Sequence, residues 1–91
     1  MSYRLELSPR ALNDLERIKK SGNKSVINKL KVIFQELMEH PLVGTGKPEK
    51  LRHRENTYSR RLSGKDRVVY SIYDDLVKVN VLQMLGHYDD K

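Results

Sequence analysis

The chain has 91 residues, 18 Lys or Arg against 12 Asp or Glu, a formal net charge of +6 and no cysteine. A length like this supports one core and therefore one domain over residues 1–91, and the lack of Cys excludes disulfides and thiolate metal sites. No apolar run reaches the roughly 20 residues of a membrane span, and the N-terminus has no signal-peptide core, so a cytoplasmic protein with no membrane association and an acidic partner is expected.

In chain order, Tyr3, Leu5 and Leu7 alternate with Arg4 and Glu6, the period of a half-buried strand. Ser8-Pro9 pairs a helix-capping serine with a proline suited to the first helical position. Ala11, Leu12, Leu15 and Ile18 follow at helical spacing, with Arg10, Asp14, Arg17 and Lys20 assigned to the wet side. Gly22 suits the left-handed residue that closes such a helix. A second helix is predicted over Lys24 to Glu39, with Val26, Ile27, Leu30, Ile33, Phe34, Leu37 and Met38 as a broad core stripe, stopped by His40-Pro41. The short link makes the two helices an antiparallel hairpin able to cover one face of a sheet.

Leu42 to Lys47 is a Gly-containing connector that lacks the spacing of a P-loop. Short strands are predicted at Lys50 to His53 and Tyr58 to Leu62, a hairpin turn at Ser63 to Asp66, and β segments at Arg67 to Tyr73 and Leu76 to Met84. The order strand, helix, helix, then three or four strands with short turns defines an α+β fold. A helix hairpin packs on one face of a four- to five-stranded, mainly antiparallel sheet, and the other face stays open for a site. Strand parity places Ser59 with Arg61, and Tyr58 with Arg60 and Leu62. It also places Val68, Tyr70 and Ile72 toward the helices with Arg67 on the open face, and Val77, Val79 and Val81 inward. Strict alternation would send His87 inward, unless a bulge at Gly86 resets it.

The segment Gly44 to Arg67 carries eight Lys or Arg against three acids, a local +5 that supplies most of the net charge. Such a concentration of cations is the footprint of a phosphate-binding surface. The three histidines His40, His53 and His87 show no metal-ligand spacing, so no metal or other cofactor is expected. His40 reads as a capping or surface residue and His53 as part of the basic surface. The polar residues at neighbouring strand ends are Glu49, Arg61, Arg67, His87 and Tyr88. RNA cleavage without metal needs a base for the ribose 2′-OH, cations for the phosphorane charge and an acid for the leaving oxygen. Glu49, the arginines and His87 could supply these; solvated charges on a sheet edge are the alternative.

The runs GTGKPEKL, YSRRL and DRVVY, with HY near the C-terminus, resemble the YoeB toxins of the RelE/ParE superfamily over roughly Pro41 to Tyr88. The His-Pro before the glycines and the double aspartate fit as well. That resemblance implies a RelE-like fold and a ribosome-dependent endoribonuclease of a type II toxin–antitoxin module, which cuts mRNA in the A site by metal-free 2′-OH attack. It makes Glu49 the general base, Arg67 the arginine that stabilises the phosphate, His87 the general acid and Tyr88 its aromatic neighbour. Arg61 corresponds to a further phosphate-binding residue, and Lys47, Arg52, His53 and, more weakly, Arg60 are substrate-binding candidates. Tyr58 stands where the family commonly has tryptophan, and Asp89-Asp90-Lys91 extend past the usual end. Implied partners are mRNA, the ribosome, a YefM-like antitoxin and a second copy of the chain. A ParE-like gyrase-binding toxin and a non-catalytic ribosome- or RNA-binding module are the functional alternatives.

Overall fold

The computed structural model describes residues 2–86; His87, Tyr88 and the Asp89-Asp90-Lys91 tail lie outside them. The elements are β1 (Arg4–Leu7), α1 (Pro9–Ser21), α2 (Lys24–Glu39), β2 (Glu49–Lys50), β3 (Thr57–Arg61), β4 (Arg67–Tyr73), a 3-10 turn (Asp74–Leu76) and β5 (Lys78–Gln83). One sheet runs in the order β1-β5-β4-β3-β2, with β1 parallel to β5 and every other pair antiparallel. The helix hairpin packs on one face, as expected.

Local chemistry sets the helix limits. Ser8 caps α1 by accepting the Ala11 amide at 3.0 Å, and Gly22 ends it at φ 70. The Asn23 side chain caps α2 by accepting the Val26 amide at 3.2 Å. His40 closes α2 as an exposed C-cap residue whose amide donates to the Glu36 carbonyl. The core between the layers is built from Ala11, Ile18, Leu30, Ile33 and Leu37 on the helices against Val68, Tyr70, Ile72, Val79 and Val81 on β4 and β5. Tyr58 stacks on Tyr70 with ring centroids 6.0 Å apart, so its aromatic surface serves this layer.

Several details depart from the sequence reading, each for a visible reason. Asp14 is fully buried rather than wet, because its carboxylate accepts backbone amides from the chain that follows β5. Leu12, expected on the apolar stripe, is 53% exposed, since the buried line of α1 runs through Ala11, Asp14 and Ile18. The strand expected at Lys50 to His53 is the shorter β2, one residue earlier. Val77 is not in a strand; it takes φ 47 to close the 3-10 turn. The bulge lies not at Gly86 but in β5: Tyr70 faces Val81 while Val69 faces Gln83, leaving Leu82 as the extra residue. Ser8 holds that irregularity, its amide donating to the Val81 carbonyl and its hydroxyl to the Leu82 carbonyl.

The second sheet face is not fully open either. Leu51, Thr57, Val69 and Ser71 are all buried, and the Thr57 and Ser71 hydroxyls meet at 2.8 Å.

The connector between α2 and β2 is organised by one cation. Arg60 is wholly buried on the helix side of β3. Its Nη1 donates to Glu36 Oε1 at 2.7 Å, its Nε to the Tyr70 hydroxyl at 3.0 Å, and its Nη2 to the Pro41 and Val43 carbonyls at 3.1 and 2.9 Å. Glu36 also accepts the Thr45 amide and hydroxyl at 2.8 and 3.0 Å. Burial would raise the Glu36 carboxyl, but the Thr45 donors and the Arg60 guanidinium together hold it below the usual carboxylate range. Arg60 therefore serves the fold, which corrects its assignment as a substrate-binding candidate.

Removing one partner of a buried pair strands the other charge, so Glu36→Ala is expected to cost about 3–5 kcal/mol in chemical denaturation. Because the folded carboxyl is depressed, this stability is present above the ordinary carboxylate range and is lost as pH falls through the lowered value. Urea midpoints followed from neutral into acid should fall less steeply for Glu36→Gln than for wild type.

Candidate active site

The sheet register builds the site in rows across the face turned away from the helices. The first row is Leu51, Thr57 and Ser71, the buried patch, with Leu51 donating its amide to the Thr57 carbonyl at 2.9 Å. The second row is Glu49, Ser59, Val69 and Gln83, each directly opposite the next on β2, β3, β4 and β5. The third is the cross-strand pair Arg61 and Arg67. A carboxylate thus sits one row, about 7 Å along the strands, from two guanidinium-bearing residues on the same face. Two strand spacings put β2 and β4 about 10 Å apart, a gap that long side chains can span around a phosphate.

Each member is held by local structure. Glu49 is exposed at the start of β2, directly after Pro48, and Arg61 is exposed at the end of β3. Arg67 is half-buried, its Nη1 donating to the Ser63 and Asp66 carbonyls at 3.1 Å each, so the β3–β4 turn orients its guanidinium. Its amide donates to the Gly86 carbonyl at 3.1 Å, and the Gly86 amide donates to Asp66 Oδ1 at 2.8 Å. The chain after β5 is thereby docked beside Arg67.

The approach to Glu49 is tightly constrained. Gly46 and Lys47 are consecutive left-handed residues at φ 86 and 53. The Gly46 carbonyl accepts the Arg61 amide at 2.7 Å, which ties the connector to the arginine end of β3. A Cβ on Gly46 would lie 2.6 Å from the Arg61 carbonyl oxygen, so glycine is required by both space and φ.

Of the residues singled out from sequence, Glu49, Arg61 and Arg67 share this face, and exposed Lys47 lies on the connector bonded to Arg61. Arg52 and His53 are exposed on the loop at the other end of β3, four residues and about 13 Å along the strand from Arg61, so they do not join the arginine pair. His87 and Tyr88 lie outside the described residues. Ser59 and Gln83, which flank Glu49 and Val69 in the second row, were missed. Strand parity already grouped Ser59 with Arg61, whereas Gln83 reaches this face only through the β5 bulge, which sequence does not reveal.

A helix hairpin on one face of a mostly antiparallel five-stranded sheet, with a carboxylate and paired arginines on the other, defines a RelE-like toxin fold. The chain belongs to the family described as the YoeB-like toxin of bacterial type II toxin-antitoxin systems, whose model matches residues 7–88. It is 35% identical over 54 residues to Toxin YoeB of Escherichia coli, a stretch covering 58% of this chain and 64% of that relative. It superposes on the Staphylococcus aureus YoeB dimer structure with a TM-score of 0.82 at 27% identity, covering 97% of this chain and all of the other. The S. aureus YoeB–YefM complex gives a TM-score of 0.78 at 28% identity, with 97% and 100% covered.

Gly46→Ala should destabilise the protein by about 1–3 kcal/mol through forced strain. It should also speed hydrogen exchange of the Arg61 amide, and unchanged exchange there would contradict the assigned role of the connector.

Proposed function

We propose that this chain is the toxin of a type II module and acts as a ribosome-dependent, metal-independent endoribonuclease that cuts mRNA in the A site. The observation that supports this most is the grouping of Glu49, Arg61 and Arg67 on one face, with the connector and the β3–β4 turn fixing their backbones. In the reaction, the Glu49 carboxylate takes the proton of the ribose 2′-OH. The oxygen attacks the adjacent phosphorus, and the P–O5′ bond breaks. His87, the residue after Gly86, donates a proton to the departing 5′-oxygen, with Tyr88 beside it. Arg67 and Arg61 stabilise the charge that develops on the phosphorane oxygens. The products are a 2′,3′-cyclic phosphate and a 5′-hydroxyl end. Lys47 adds charge at the arginine end, and to the exposed Arg52 and His53 we assign contacts with the RNA away from the scissile phosphate.

The partners follow from the same reading. One relative was solved as a dimer and another in complex with YefM, and we assign to this chain a homodimer and a YefM-like antitoxin. An acidic or partly disordered antitoxin segment laid over the basic face would block Glu49 and Arg67. A cytoplasmic single-domain protein fits this role; no described helix is long and apolar enough to cross a membrane.

The test is an in-vitro translation reaction with primer-extension mapping of mRNA ends for wild type, Glu49→Gln, Arg67→Ala and His87→Ala. Discrete cuts at the A-site codon are expected for wild type, reduced by about 100-fold or more in each variant. Arrested translation with intact mRNA would overturn the nuclease in favour of a ribosome-binding inhibitor. Undisturbed translation with inhibited DNA supercoiling would indicate a gyrase-directed toxin.

A further inference from the structure

The sheet ladder of β5 ends at Gln83, yet the next three backbone amides are all held by carboxylates. Met84 and Leu85 donate to Asp14 Oδ2 at 3.0 and 3.2 Å, and Gly86 donates to Asp66 Oδ1 at 2.8 Å. Asp14 comes from the second turn of α1 and has no exposed surface. Arg10, one turn before it, donates from Nε to both Asp14 oxygens at 3.3 and 3.2 Å and from Nη2 to the Leu85 carbonyl at 2.9 Å. Asp66 precedes Arg67, and the Arg67 amide returns a bond to the Gly86 carbonyl. Two acids, one on α1 and one in the β3–β4 turn, therefore grip one three-residue turn.

That arrangement is costly for a purely apolar core contact. A carboxylate withdrawn from water must be compensated by charge-assisted bonds, and Asp14 makes them to backbone amides beyond the end of β5. Gly86 takes φ 88, a left-handed residue that the clamp fixes in place.

We propose that Asp14 is a positioning residue for RNA cleavage: with Asp66 it fixes the Met84–Gly86 turn, whose Gly86 carbonyl accepts the Arg67 amide, and so holds the Arg67 end of the site in place. This rests on the cleavage reading given above. Asp14 touches no substrate and acts through the backbone. Its loss should therefore slow the chemical step while leaving RNA binding nearly intact, because a displacement of about 1 Å in a catalytic group can cost about 100-fold in rate.

The experiment compares wild type, Asp14→Ala, Asp14→Asn and Asp66→Ala by single-turnover cutting of mRNA on programmed ribosomes and by amide hydrogen exchange. Asp14→Ala is expected to lose protection at Met84 and Leu85 and to cut about 100-fold more slowly, with half-saturation within about twofold. Asp14→Asn keeps an acceptor oxygen for the two amides and should restore most of the rate. Asp66→Ala, outside the apolar core, should lose Gly86 protection with the same loss of rate at unchanged binding, and it carries the test if Asp14→Ala does not fold. Exposed amides with a wild-type rate would overturn the positioning role alone, as would unchanged protection. Intact mRNA with the wild-type protein would overturn the cleavage reading and the positioning role with it.

Discussion

The Arg60 guanidinium is the interaction on which the rest of the structure depends. It is buried with no exposed surface, and its donors reach α2 through Glu36, β4 through the Tyr70 hydroxyl, and the connector through the Pro41 and Val43 carbonyls. A buried cation tolerates no missing partner, so this set of bonds selects one path for the chain between α2 and β2. The path matters because it ends at Glu49. Gly44 lies close against Glu36 and Arg60, and Gly46 against the backbone of Arg61, so small residues are needed where the connector crosses β3. The neighbouring residue Arg61 points to the other face, and a dipeptide of two arginines thus divides into one cation for the fold and one for the site.

A second set of charges performs the corresponding task at the other end of the site. Asp14 and Asp66 accept the amides of the Met84–Gly86 turn after β5, and the Arg67 amide donates in return to the Gly86 carbonyl. Both sides of the basic face are therefore held by buried or half-buried ionic groups, while the apolar layer of Val68, Tyr70, Val79 and Val81 packs the central strands against the helices. In the proposed cleavage the outward-facing arginines work from a rigid platform, since preorganised cations stabilise a developing phosphorane charge without reorganising during the reaction.

The sequence made much of this architecture legible. Ser8-Pro9, Gly22 and the stripe from Val26 to Met38 encode the helix hairpin through capping and period, and the Val- and Tyr-rich run of β4 encodes the central strand. Parity placed Arg60 and Arg61 on opposite faces. It also put Val68, Tyr70 and Ile72 under the helices. What stayed hidden depends on long-range geometry. Asp14 looks solvated in a helical wheel because its partners lie some 70 residues away. Arg60 looks like one more surface cation until Glu36 and the connector carbonyls are brought round it. The β5 bulge has no glycine to announce it, and the buried row of Leu51, Thr57 and Ser71 is assembled from three separate segments rather than from any local pattern.

The central claim is that the basic face promotes attack by the ribose 2′-oxygen on its own phosphate. The most direct measurement gives the protein ribosomes programmed with an mRNA carrying a single 2′-deoxy nucleotide at the scissile position, beside the all-ribose message. Loss of cutting at that one position, together with 5′-hydroxyl ends on the all-ribose fragments, is the predicted result. Equal cutting of both messages, or fragments with 5′-phosphate ends, would contradict the account.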